Sequence, residues 1–201
     1  TYPLFDFTCS TAWIGMSETI KIAFVSTIFG SIISLPISIL AARNLSSLGV
    51  SYFARILLAA ARSLPSIIWA IFFVILVGFG PLSGVLAMTI YTVGYLGKLQ
   101  YESIEGMNSI PLESARSMGL SKIEIATGVV IPEMANNLIS QMIFMFEYNV
   151  RHGTVIGIVG AGGIGYYINL YLKFLQYDKV ISYLIIIFIV VLIIDFLSIS
   201  A

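Results

Sequence analysis

One histidine, His152, and one cysteine, Cys9, occur in 201 residues. A lone cysteine closes no internal disulfide, and neither residue belongs to a metal-ligand spacing. Charge is scarce too: 10% of residues are Asp, Glu, Lys or Arg, and they sum to a net charge of zero. A soluble domain carries about 25% charged residues, so an ordinary water-soluble globule is excluded. With no basic surplus, nothing argues for nucleic acid. No Gly-Lys-Ser/Thr follows a glycine-rich loop, so the chain has no P-loop. Residues 1–16 lack the basic start and apolar centre of a cleavable signal peptide, and no internal repeat or low-complexity tract is visible. The chain begins at Thr1 and ends at Ala201 just after an apolar run, as a piece of a longer protein would.

What is abundant is apolar surface. Hydrophobic residues make up 59% of the chain and fall in long runs. This pattern predicts an all-α polytopic membrane protein with about five transmembrane helices. A lipid-crossing helix needs about 20 mostly apolar residues. Spans are expected at 19–42, with Ser17 as N-cap and Pro36 as a kink, at 56–79, 82–99, 133–150 and 180–197. Arg62 and Pro65 interrupt the second, which reads as a short interfacial helix followed by a span from Pro65. Gly78-Phe79-Gly80-Pro81 makes a tight hairpin between the second and third. Residues 1–16 read as an extracytoplasmic lead-in to one transmembrane domain, 17–201.

Cytoplasmic loops carry the excess of Lys and Arg. One side holds Arg43, Arg55, Arg62, Lys98, Arg116 and Lys122; the other holds Arg151, Lys173 and Lys179. The bias places the polar insert 100–132 in the cytoplasm and the glycine- and tyrosine-rich segment 151–178 outside.

The insert reads as two short helices about an elbow. Ser109 precedes Ile110-Pro111, with proline near the first helical position, where its missing N–H costs nothing. Glu113 falls in the first turn, where the macrodipole favours an anion. Gly119 ends that helix, Ser121-Lys122-Ile123-Glu124 is a capping box that opens the next, and Ile131-Pro132 stops it. Small Ala115 and Gly119 allow another surface close approach. By spacing alone this is either an amphipathic interfacial loop or a docking element for a soluble partner.

Glu113-Ser114-Ala115…Gly119, followed by Val129-x-Ile131-Pro132, resembles the Glu-Ala-Ala…Gly…Ile-x-Leu-Pro loop of ABC import permeases. Ser114, Val129 and Ile131 are its departures from that pattern. Arg62-Ser-Leu-Pro65, Gly80-Pro81-Leu-Ser-Gly84, Gly97-Lys98-Leu99, Glu102-Ser-Ile-Glu105 and Glu147-Tyr-Asn149-Val-Arg151 resemble the phosphonate-type permeases in particular, across most of residues 17–200. Tyr91 stands where those permeases usually have histidine. The resemblance implies a type I ABC importer permease fold in a prokaryotic cytoplasmic membrane, without enzymatic activity or cofactor of its own. It implies coupling helices that sit in a cleft of the ATPase subunit, with Glu113, Ala115, Gly119 and Pro132 at that contact. It implies a homodimer with two ATPase subunits, which carry ATP and Mg, and an extracytoplasmic solute-binding protein. The implied cargo is a phosphonate or related phosphorus oxyanion. Other small solutes such as methionine or phosphate are the alternative, and a secondary transporter is a further one.

Gly160-Ala161-Gly162-Gly163-Ile164-Gly165 matches G-x-G-x-x-G, but its flanks are membrane spans rather than a strand and a βαβ unit, which rules against a dinucleotide site. Gly160, Gly162 and Gly163 either let helices pack closely or form a gate at the outer mouth of a path. Glu147, Asn149, Arg151 and His152 cluster near the end of the fourth span. Ionisable residues at such depth face a cavity or a partner. Glu147 and Arg151 share a helix face and can pair; alternatively Glu147, Asn149 and Arg151 line a path and Arg151 attracts an oxyanion. Asp195 is expected to snorkel to the inner interface.

Overall fold

The computed structural model describes residues 10–199, and every regular element among them is helical. Cys9 and most of the expected lead-in lie outside the described residues. In chain order the helices are α1 (Ser10–Ala41), α2 (Leu48–Ser63), α3 (Ser66–Val77), α4 (Pro81–Gly106), α5 (Ser109–Ser117), α6 (Lys122–Ile125), α7 (Ile131–Gly157), α8 (Ile164–Lys173) and α9 (Tyr177–Ile199). Helix α1, α4, the run from α6 through α7, and α9 are each long and apolar enough to cross a bilayer. The pair α2–α3, bent by 83°, makes a fifth crossing when counted as one.

Two boundaries differ from those read in the sequence. Helix α1 is already formed at Ser10, so Ser17 lies inside it and donates its hydroxyl to the Ile14 carbonyl (2.9 Å) instead of capping. The added turns are held by packing: Ala12 and Met16 are buried with Ile164 and Tyr183. Likewise, Pro132 does not stop the helix that begins at Lys122. A proline in a regular α-helix collides with the carbonyl four residues back. Here a π-helical turn, Ala126–Val130, widens the coil, and the Ile131 N–H reaches back to the Ala126 carbonyl. The chain passes through Pro132 as one continuous helix, Lys122–Gly157.

Lipid tails are as apolar as leucine, so helices in a membrane associate through close packing and hydrogen bonds. Helices α1 and α4 form the principal pair on that basis. Along α1 a stripe of small residues, Ala23, Thr27, Gly30, Ser34, Ser38 and Ala41, is fully buried. A Cβ on Gly30 would collide with the Thr92 side chain. Ser26 donates to the Val85 carbonyl across the pair (3.2 Å).

Three clusters of buried side chains organise the bundle. One, at the inner end, joins Ala41, Ala42, Leu58, Ile104, Leu112 and Ala115. A second joins α1, α7, α8 and α9 around Ala23, Val150, Ile168 and Tyr183. The third seats α3 on α4 and the turn after α7, through Ala70, Ala87, Met88, Ile156 and Ala161. Outward faces are apolar instead of polar, with Ile75, Phe79, Phe188 and Phe196 exposed, as bilayer or subunit contact demands.

Candidate functional site

The elbow between α5 and α6 is built from strong local signals. Asn108 caps α5: its side chain accepts from the Ile110 N–H (3.1 Å). Glu113 therefore sits in the second turn, beyond the first-turn position expected for it. At the other end, Gly119 adopts φ +77 and donates to the Arg116 carbonyl (3.0 Å), while Leu120 donates to the Ala115 carbonyl (3.3 Å). This paired reach-back is a Schellman ending, and it needs a left-handed residue at Gly119. Ser121 and Glu124 complete the capping box in both directions. Hydrogen bonding to the Ser121 side chain, then to its backbone, holds the Glu124 carboxyl below the usual carboxylate value.

The elbow is bolted to the bundle. Arg116 on α5 donates to the Asn44 carbonyl, and Asn44 Nδ2 donates to the Ile104 carbonyl (2.8 Å). Glu105 accepts from the Arg43 N–H (2.6 Å) and from the Arg55 guanidinium, which also lies 4.4 Å over the Tyr101 ring. Arg55 Nε and the Ser51 hydroxyl both donate to the Ala41 carbonyl. These contacts satisfy carbonyls that the ends of α1 and α4 leave open. Through Arg116 they tie α5 to the turn between α1 and α2.

The residues expected at a partner contact separate. Glu113 and Gly119 are exposed on the elbow. Ala115 is 1% exposed and packs inward beside Leu112, so it faces the bundle and is removed from any external contact. Pro132 is exposed but stands apart, at the start of α7 beyond the π-helical turn. Three apolar side chains absent from the expected set do face outward: Ile110 at 66%, Met118 at 70% and Ile123 at 76% exposure. The signal was present in the sequence as large apolar residues flanking the glycine elbow, out of step with the buried Leu112 and Ala115.

The glycine segment is a closed turn. Gly160, Gly162 and Gly163 all have positive φ and all are buried. The Gly80 N–H donates to the Gly160 carbonyl (3.0 Å), and Phe79 lies where a Gly160 Cβ would stand. From α1, Glu18 accepts the Gly163 N–H (3.1 Å) and Thr19 accepts the Ile164 N–H (2.9 Å), which caps α8 across the fold. These glycines hold the α3–α4 and α7–α8 turns together.

Asn149 sits inside the bundle of the single chain. It is fully buried, and its amide donates to the Thr27 and Thr92 hydroxyls (2.9 Å each), tying α7 to α1 and α4. Asn149→Ala is expected to lower stability by about 1–2 kcal/mol, the worth of an interhelical hydrogen-bond set in a membrane. A thermal melt in detergent measures this, and an unchanged midpoint would contradict the tie.

Arg151 pairs with Glu147 on its own helix and with Asp195 on α9 (2.8 Å). Asp195 therefore does not snorkel to the interface. The Arg151 guanidinium thus bridges two carboxyl groups on two helices. Beside this triad a column of rings covers the α4–α7 face: Tyr95, Tyr91, Tyr148 and His152. Tyr91 and Tyr148 lie 7° from parallel and share a hydroxyl hydrogen bond of 2.9 Å, and His152 stacks on Tyr148 at 4.0 Å. Their spacing of four residues, with Phe144 in the same register, was the overlooked sign in the sequence.

Residues 34–199 match the model of the family described as binding-protein-dependent transport system inner membrane component. The permease protein HtxC of Stutzerimonas stutzeri is 39% identical over 92% of this chain and 66% of its own length. The phosphite transport system permease protein PtxC of the same organism is 36% identical over 96% of this chain and 71% of its own length. The chain thus spans about two thirds of the length of these relatives. A chain of the MetNI methionine ABC transporter in an inward-facing conformation superposes with a TM-score of 0.83 at 22% identity, over 96% of this chain and 95% of that one, which shows a shared fold. A helical bundle with a broken second crossing and an inner elbow, matched over most of its length, belongs to the binding-protein-dependent transport system inner membrane component family.

Proposed function

We propose that this chain is the membrane-spanning subunit of an ATP-driven importer that carries a phosphonate or related phosphorus oxyanion across a prokaryotic cytoplasmic membrane. Two copies form the path, an extracytoplasmic binding protein delivers the solute, and two cytoplasmic ATPase subunits, which bind ATP and Mg, drive it. The observation that carries the reading is the elbow. Exposed Ile110, Met118 and Ile123 project from a helix fixed by Arg116, Asn44 and Glu105 to the ends of α1, α2 and α4. A cleft that grips those side chains moves the membrane helices as a body. The similarity to a phosphite permease supports the substrate class.

The test is uptake by the full-length permease reconstituted with its ATPase and binding protein. Phosphite or methylphosphonate is expected to accumulate only with ATP, and methionine not at all. Accumulation of methionine without either phosphorus compound would overturn the substrate reading and leave the importer reading in place.

A further inference from the structure

We infer that Arg62, at the break between α2 and α3, is a site inside the membrane where the phosphorus oxyanion is held in transit. This rests on the substrate reading above and names the residue that meets the anion.

The last turn of α2 packs against the middle of α4. A Cβ on Gly94 would lie 2.8 Å from the Arg62 nitrogen and 2.9 Å from the Leu58 carbonyl oxygen. Gly94 is near the midpoint of Pro81–Gly106, a helix about 39 Å long at ~1.5 Å per residue. Arg62 therefore starts close to the centre of a hydrocarbon layer about 30 Å thick. An arginine at that depth pairs with a carboxylate or faces a water-filled cavity. Arg55 and Arg151 have carboxylate partners. The Arg62 side chain makes no hydrogen bond or ion pair among the described residues, and its Nε is buried without a partner.

The backbone supports the same conclusion. Pro65 cannot continue α2, and the chain turns by 83° into α3. Non-helical backbone at membrane depth is tolerated where it is buried in protein or lines a cavity, and Ser63, Leu64 and Pro65 are all exposed in the single chain. An always-charged planar guanidinium suits the paired oxygens of a phosphite or phosphonate better than it suits a cationic or apolar solute. A lipid phosphate offers the same oxygens, but headgroups lie about 15 Å from the midplane.

The experiment uses the reconstituted full-length transporter with its binding protein and ATPase, in phosphatidylcholine vesicles with and without phosphatidylglycerol, and phosphite as the probe. Arg62→Gln is expected to lower the maximal uptake rate about tenfold or more, the size of a lost charge-assisted hydrogen bond, in both vesicle types. Arg62→Lys, which keeps the charge, is expected to recover most of that rate. The concentration of loaded binding protein giving half-maximal uptake is expected to stay the same, because docking is remote from the break. Unchanged phosphite uptake in Arg62→Gln overturns the assignment and leaves the substrate reading standing. A defect confined to vesicles with phosphatidylglycerol assigns the residue to lipid headgroups instead. Loss of the two-copy assembly on size-exclusion, in Arg62→Gln but not Arg62→Lys, assigns it to a carboxylate of the second copy. If the unaltered protein takes up neither phosphite nor methylphosphonate, the substrate reading fails and this assignment fails with it.

Discussion

Aspartate at both Met118 and Ile123 is expected to strip the ATPase subunit from the membrane complex. The two side chains stand on either side of the Gly119 elbow, 70% and 76% exposed. Neither belongs to the inner-end cluster that holds α5 on the bundle. Apolar anchors seated in a partner's pocket are each worth about 2 kcal/mol or more. Losing two, and burying two carboxylates in their place, weakens binding by roughly a thousandfold. Co-purification should then recover almost no ATPase, while the melting temperature of the permease alone stays where it was. Leu112→Asp is the informative contrast. Leu112 is 3% exposed, so a carboxylate there unseats α5 and lowers the melting temperature as well. Undiminished ATPase recovery from the Met118→Asp/Ile123→Asp protein would remove the elbow as the docking element.

The second large effect is on stability. Gly165→Ala is expected to destabilise the fold by about 3 kcal/mol, the upper end of overpacking penalties, and to lower Tm by roughly 6–12 °C for a chain of this size. A Cβ on Gly165 would run into the Thr154 carbonyl oxygen and lie 3.0 Å from the Gly157 Cα. The approach is reciprocal, since a Cβ on Gly157 would lie 2.6 Å from the Gly162 oxygen and 2.8 Å from the Gly165 Cα. Both neighbours are backbone, so no side chain can swing away, and α8 has to lift off the end of α7. Gly49→Ala provides the control. Nothing lies within 4 Å of its Cβ position, and alanine is preferred to glycine in a helix by up to about 1 kcal/mol. Its Tm should be unchanged or slightly higher. Equal melting of the two variants would refute the close α7–α8 packing.

Much of the elbow was legible because its signals are local. Gly119 as a left-handed ending and Ser121 with Glu124 as a capping box depend on residues within a few positions, and both are present in the structure. The misplacements arose where distant contacts intervene. Ser17 has the chemistry of a cap, but burial of Ala12 and Met16 extends α1 past it. Pro132 has the chemistry of a stop, but a wider turn absorbs it. Ala115 is small enough to admit a partner, and it is buried in the inner-end cluster instead.

By itself, the sequence determined the class, the number of crossings, the break near Pro65 and the two-helix insert. Each follows from run length, composition or a turn preference, which act over a few residues at a time. Only the tertiary structure decided which polar groups are free. Asn149 read as a path residue, Arg151 as either a partner of Glu147 or an anion site, and Asp195 as a snorkelling side chain; in the structure Asn149 bonds Thr27 and Thr92, and Arg151 pairs with both Glu147 and Asp195. Arg62 looked like an interruption of a span, and its side chain has no carboxylate partner among the described residues. Pairing at this depth is set by which helix faces meet, through packing between segments far apart in the chain. No local pattern encodes that.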